Sequence, residues 1–330
     1  MHKAPGSNSL NIQLMLAGAL RSCHFPRALL LALVLACTGA WATAPANIAI
    51  VLSDDSAPYQ ETANNIRALV GQNAGRAAVS VYSPAGRKPD FGRDRQDMIV
   101  AVGVRATQEM AALNLTTPVL ATLIPRQAFE KIARQRDYRQ FSAVYLDQPL
   151  ARQMELIHLV LPERSRIGVV LGPESQDALK ALQLAAREAK FALVVEKIGA
   201  DGDLLPALQR VLADSDVLLA MPDPLVFNRG TVQSLLLTTY RYQKPVIGFS
   251  HAYVKAGALA AVYTTPEQAG RQAGEVLLRV LAGKSWVLPP PEYPKYFSVS
   301  LNYQVARSLA INVDDEMALD QKLKRAEMLE

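Results

Sequence analysis

Chemistry-bearing residues are scarce in this chain of 330 residues, and that scarcity narrows its function before any motif does. There are two cysteines, Cys23 and Cys37, and both fall in an amino-terminal apolar leader. Beyond the leader there is no thiol nucleophile and no disulfide framework. Of four histidines only His158 and His251 lie past it. A zinc site needs three or four clustered ligands, so neither a metal nor a cofactor is expected. No G-x-G-x-x-G or G-x-x-x-x-G-K-[ST] follows any apolar run, which removes the main support for nucleotide chemistry. Charge of one sign is also sparse. The formal net charge is +5, and removing Lys3, Arg21 and Arg27 with the leader leaves about +2. That is too little, and too evenly spread, to argue for nucleic acid.

The leader itself is informative. Arg21 and Arg27 precede the run "ALLLALVLACTGAWA", which ends in small residues as a secretory signal peptide does. It is too short and too weakly flanked to predict a stable transmembrane helix. A cleaved signal peptide over 1–42 is therefore expected, with export of the remainder. Residues 1–14 add nothing to the pattern, so Met15 is an alternative start to Met1. The stretch "VLAC" leaves a second alternative, a lipoprotein anchored at Cys37.

From Asn47 onward, short β-branched runs alternate with amphipathic stretches of helical period. Strands are predicted over 47–52, 78–82, 98–103, 118–123, 142–146, 166–172, 191–197, 216–221, 245–249, 259–263 and 296–301. Most are continuous apolar runs, the pattern of strands buried on both faces of a parallel sheet. Between them, Leu150, Met154, Ile157 and Leu161 recur at helical spacing, as do Leu179, Leu182, Ala186 and Ala189. Thr265-Pro266 opens a further helix, and Gly283 closes it. A βαβ succession of this kind predicts an α/β fold with two doubly wound parallel-sheet lobes, and a ligand cleft at the carboxyl ends of the strands. The two strand sets are 47–142 and 143–263, with the stiff segment "LPPPEYPK" suited to a further crossing between them.

The residues just after each strand are therefore the candidate site. The first loop holds Ser53, Asp54 and Tyr59, which read equally as ligand contacts or as a helix cap and turn. Gly103 permits close backbone approach, and Arg105 offers a carboxylate-binding fork or a plain surface charge. Thr122 ends the fourth strand, followed by Pro125 and Arg126. Asp223 stands between two prolines, with Phe227 and Asn228 close in sequence, as a rigidly placed acid for a ligand amine or hydroxyl, or as a turn residue. Ser250, Tyr253 and Tyr263 complete the set. The stretch "GFSHA" is one residue from the elbow that exposes a nucleophilic serine. However, no histidine follows His251, and neighbours on an extended strand point opposite ways. A periplasmic hydrolase using Ser250 thus stays a remote alternative to binding.

Three segments carry a resemblance: "QPLARQMELIHLVLPERSRIGVVLGPES", "DVLLAMPDPLVFNRGTVQSLLLTTYRYQKPVIGFSHAYVKAGALAAVYTTPEQAGRQAGEVLLRVLAG" and "FSVSLNYQVARSLAI". The chain resembles the substrate-binding proteins of ABC transporters, in the branch of the type I periplasmic-binding fold whose relatives take up aromatic amino acids. The resemblance implies lobe one as 47–142 plus 264–294, lobe two as 143–263 plus 295–320, and a C-terminal tail over 321–330. It implies a periplasmic, monomeric, non-enzymatic protein that closes on a solute by hinge motion and delivers it to a membrane permease and its ATPase. A module that feeds a membrane signalling receptor is the alternative use of the same fold. Family contacts would fall on Ser53, Asp54, Tyr59, Gly103 to Arg105, Thr122, Asp223, Ser250 and Tyr253. Where relatives often place Thr or Ser and an Asp, this chain has Val104 and Ile124. An amino acid, or an aromatic or apolar organic compound, is the expected ligand.

Overall fold

Among the described residues eleven strands divide between two sheets, and the division follows from which apolar runs can be covered on both faces. The computed structural model describes residues 45–73, 77–86, 89–91, 93–113, 115–134, 136–283 and 285–329. The expected signal peptide, both possible starts and the Cys37 anchor lie outside these residues. Residues 46–330 form one compact unit.

The first sheet has the order β2-β1-β3-β4-β5, all parallel: β1 (Ala46–Leu52), β2 (Ala77–Tyr82), β3 (Met98–Val102), β4 (Val119–Ile124) and β5 (Phe141–Tyr145). In β1 the alternate residues Ile48, Ile50 and Leu52 enter one core, and Ala49 and Val51 enter the other. That is why the strand reads as an unbroken apolar run. One face packs on α1 (Ala57–Asn73) and α9 (Pro266–Ala282); the other packs on α2 (Val104–Ala112) and α3 (Arg126–Ala133). Helix α9 begins with a capping box between Thr265 and Gln268 and has proline in its first turn. It lies close against α1 because Gly270 has no side chain. A Cβ there would sit 2.6 Å from the Thr62 carbonyl oxygen.

The second sheet has the order β11-β10-β9-β8-β6-β7: β6 (Arg166–Leu171), β7 (Ala192–Lys197), β8 (Val217–Leu219), β9 (Val246–Gly248), β10 (Ala260–Tyr263) and β11 (Ser298–Leu301). Its helices are α4 (Leu150–Val160), α5 (Leu179–Glu188), α6 (Leu204–Asp214), α7 (Val232–Arg241), α8 (His251–Ala256), α10 (Tyr303–Ser308) and α11 (Glu316–Leu329). Cores form on both faces here too.

Three features differ from expectation. The strand run at 141–145 pairs with β4, so the expected division at 142/143 falls inside a strand of the first sheet. Phe141 and Tyr145 explain this, since both pack on Phe129 of α3. Strand β11 is antiparallel to β10, because the chain enters it on its return from the first half. Residues 321–329 are not a loose tail. They continue α11, which buries Leu319 and Leu323 and places Glu327 on the buried guanidinium of Arg152.

The chain passes between the halves three times. The proline-rich segment runs beside β5, with Tyr145 N donating to Glu292 O and Glu292 N to Ala143 O, both at 2.9 Å. Proline is tolerated there because an edge partner needs only alternate amides. The crossings are tied together by side chains. Gln148 Nε2 donates to Thr264 Oγ1 (2.8 Å), whose hydroxyl donates to Tyr296 O (2.9 Å). Arg152 Nη1 donates to Gln148 Oε1 and Pro294 O, and the guanidinium lies 4.1 Å over the Phe297 ring.

Candidate functional site

Ligands of doubly wound sheets bind where strands end at their carboxyl side. A cavity of about 390 Å³ lies at that side of both sheets. Its walls come from the end of β4 and the start of α3 (Pro125, Arg126, Glu130), the first crossing and α4 (Leu146, Asp147, Gln153), the loop after β6 (Ser175, Asp177), the ends of β8 and β9 (Met221, Phe249), and Tyr293. Two larger hollows lie elsewhere. One of about 650 Å³ faces the amino-terminal ends of β3, β4 and β5, and one of about 660 Å³ runs between α4, α5 and α11. Neither is placed where this fold presents strand tips.

The backbone at the tip of β4 is strained. The pairing of β4 with β5 shifts register between Ala121 and Ile124, and Leu123 adopts φ +50. A left-handed leucine costs about 1–2 kcal/mol, and such strain concentrates at functional sites. Just beyond, Arg126 is fixed from several sides. Its Nε donates to Glu130 Oε1 and its Nη1 to Tyr293 OH, both at 2.6 Å. Its backbone N–H donates to Asp147 Oδ2. The hydrogen bond to Glu130, reinforced by Tyr293, raises the guanidinium's already high pKa. Burial pushes the Asp147 carboxyl up, against the hydrogen bond from the Arg126 amide. Gln153 is 8 % exposed, and among the described residues its side-chain amide has no hydrogen-bond partner.

Of the residues named from sequence, Pro125 and Arg126 line this cavity, and none of the other candidates does. The structure gathers four of them at the ends of β1, β3 and β4. Ser53 Oγ accepts the Ala106 amide (3.0 Å) at the start of α2, and Gly103 N donates to Thr122 O (2.8 Å). Gly103 has φ +90, and a Cβ on it would lie 2.5 Å from Ser53 Oγ and 2.6 Å from the Tyr59 ring. Tyr59 is half-buried, and burial raises its phenol pKa. Thr122 is fully buried, and its hydroxyl has no partner among the described residues. Asp54 is exposed. Hydrogen bonds from the Ser56 hydroxyl and amide, helped by Arg105, hold its carboxyl below the usual range. Arg105 itself pairs with Glu109 along the exposed face of α2 (3.1 Å), a surface role rather than a fork aimed at a ligand.

Asp223 is committed to the fold. It is 3 % exposed, and its Oδ2 accepts from Glu174 N (2.9 Å), Ser175 N (2.8 Å) and Ser175 Oγ (2.9 Å), while Oδ1 accepts Leu225 N (2.9 Å). It thereby clamps the loop after β6 to the loop after β8. Ser250 caps α8 by accepting Tyr253 N. The His251 ring turns away to Ser300 Oγ (2.9 Å), which also meets Tyr263 OH (3.1 Å), so Ser250 and His251 form no nucleophile–base pair. Phe227 and Tyr253 pack against Phe249, whose ring reaches the cavity. Burial pushes the Tyr253 phenol up to about 12, and its hydroxyl has no partner among the described residues. Across the rim, Lys131 of α3 pairs with Glu174 of the second half (2.7 Å), and Gln127 donates to Asp177 (3.4 Å).

Comparison with known proteins agrees with this architecture. Residues 85–323 match the family model described as ABC transporter substrate binding protein. A tyrosine-binding protein of Clostridioides difficile (strain R20291) is 25% identical over 202 residues, 59% of this chain and 57% of that protein. The chain thus matches little more than half the length of that curated relative. The fold is similar to the ligand-free, open structure of a substrate binding protein with adhesive properties from Clostridium difficile, with TM-score 0.69 and 18% identity over 82% of this chain and 96% of that one. It is also similar to the ABC domain in complex with L-Trp from Streptococcus pneumonia, with TM-score 0.58 and 15% identity over 82% and 97%.

Proposed function

Because the chain belongs to the family of ABC transporter substrate-binding proteins, we propose that it is exported, captures a small organic solute in the 390 Å³ cavity between its two sheets, and delivers it to a membrane permease with its ATPase. The observation that carries this reading is the division of the cavity wall. The first half contributes charged and polar groups at Arg126, Glu130 and Asp147; the second contributes apolar surface at Met221, Pro222 and Phe249 beside the polar groups of Gln153, Ser175 and Asp177. A solute touching both walls favours the arrangement in which they are close, so binding shifts the population toward a closed form. No bond of the solute is made or broken. The volume suits one compact molecule, at the low end of known small-molecule sites. The tyrosine-binding relative and the L-Trp complex add support for an amino acid or aromatic compound.

The test is recovery of the solute. Protein purified gently from its periplasmic location is denatured, and the released small molecules are identified by mass spectrometry. The recovered compound should rebind stripped protein and raise its melting temperature. Stripped protein that gains stability from no recovered compound, nor from a panel of amino acids and aromatic acids, overturns the reading.

A further inference from the structure

The charges around the cavity do not balance. Arg126 is the one cation among the lining residues, and Glu130 holds its Nε at 2.6 Å. That pairing leaves two carboxylates, Asp147 and Asp177, facing the same space. Lys131, at the rim, is taken by Glu174. Asp177 receives only a long contact from Gln127 (3.4 Å). Asp147 is held by two backbone amides, those of Arg126 and of Asp147 itself; the Arg126 charge acts on it, but no cation forms an ion pair with it among the described residues. A carboxylate held in a half-enclosed site without a cation is costly, unless the missing cation arrives with the ligand.

Gln153, 8 % exposed as a whole, lines the same cavity from the first turn of α4, and its side-chain amide has no partner among the described residues. Its polar atoms are not sealed from solvent, so the amide is open to an incoming polar group in the cavity. The facing wall is apolar and partly aromatic, through Met221 and Phe249. We propose, resting on the binding-protein reading above, that the solute is an organic cation: an ammonium read by Asp147 and Gln153, on an apolar body laid against Met221 and Phe249, with no requirement for a carboxylate. An alkyl ammonium remains protonated at neutral pH, its pKa being about 10.

Matched probes test this by titration calorimetry on ligand-stripped mature protein. Tryptamine and tyramine carry the ammonium alone, tryptophan and tyrosine add the carboxylate, and indole-3-propionate and 4-hydroxyphenylpropionate carry the carboxylate alone. Each amine should bind at least about tenfold tighter than its deaminated acid. Asp147→Asn, whose amide oxygen can still accept the Arg126 N–H, should weaken the amines at least about tenfold while leaving the melting temperature nearly unchanged. Gln153→Leu should weaken them without altering any charge. Acids binding as tightly as amines, or Asp147→Asn binding amines like the parent, overturn the proposal. Amines binding only when the carboxylate is present overturn its second clause. Failure of every probe at about 1 mM overturns the proposal too. In that case recovery of a different solute from purified protein leaves the binding-protein reading standing, and recovery of none removes both.

Discussion

Replacing Asp223 by alanine separates a ligand contact from a structural clamp. The side chain is 3 % exposed and accepts four hydrogen bonds, two from Ser175 and one each from Glu174 and Leu225. A hydrogen bond to a charged acceptor contributes about 1.5–3 kcal/mol. The Glu174 and Leu225 amides lie on partly open loops and can regain water, so their loss is largely offset. Ser175 is 3 % exposed, and its amide and hydroxyl keep only the Gly172 carbonyl, at 3.2 and 3.4 Å, as a shared second acceptor. Two buried donors left to share one longer acceptor give a loss of about 2–4 kcal/mol. In a chain of this size 1 kcal/mol moves the melting temperature by about 2–4 °C, so a fall of roughly 10 °C is expected by calorimetry. Asp223→Asn, which keeps the shape but presents one amide hydrogen pair to donors, should fall between parent and alanine. A melting temperature within about 2 °C of the parent, with solute binding abolished, would refute the clamp and return Asp223 to the ligand.

Three other perturbations have defined outcomes. Gly103→Ala places a side chain at φ +90 against Ser53 and Tyr59, and should destabilise by about 2–4 kcal/mol in urea unfolding; a loss below about 1 kcal/mol would contradict that packing. Arg152→Ala removes a buried guanidinium from Gln148 and Pro294 and from the water-exposed Glu327, and should cost about 1.5–3 kcal/mol, read as a lower urea midpoint with the slope retained. In alkali, Tyr145 and Tyr253 should ionise last, since burial lifts both phenols to about 12. The unfolded chain loses those protons near pH 10. It then binds fewer protons than the native state, so stability falls as pH rises from about 10 to 12. Tyrosinate absorbance should show delayed ionisation; eleven tyrosines titrating together near their ordinary value would contradict it.

The strands were legible because burial on both faces writes itself as an apolar run, and each of the eleven predicted runs contains a strand. Their partition was less so. Nothing in "FSAVY" says which sheet it joins; Phe129 decides that from another element. The residues after the strands were the ones sought, yet the same short polar side chains that hold ligands also cap helices. Ser53 and Ser250 cap helices and Asp223 clamps loops, and sequence cannot separate these uses. The cavity wall came instead from segments with no periodicity. Asp147 sits in a crossing, Gln153 on an inward helical position that reads as a plain polar residue, and Tyr293 in a proline-rich connector. Arg126 was itself named in the loop after the fourth strand and Phe249 stood one step from Ser250, so adjacency to a strand end was the usable signal. Helix α11 was missed because its apolar stripe is only Leu319 and Leu323.

The central claim is that a solute is held between the two sheets. With Cys23 and Cys37 as the only cysteines, protein expressed from residue 43 onward accepts spin labels at Arg105→Cys on the first half and Arg229→Cys on the second. Saturation with the recovered solute should shorten the mean inter-label distance and narrow its distribution. A solute that binds tightly while leaving that distribution unchanged would place it somewhere other than between the sheets, and would contradict the account.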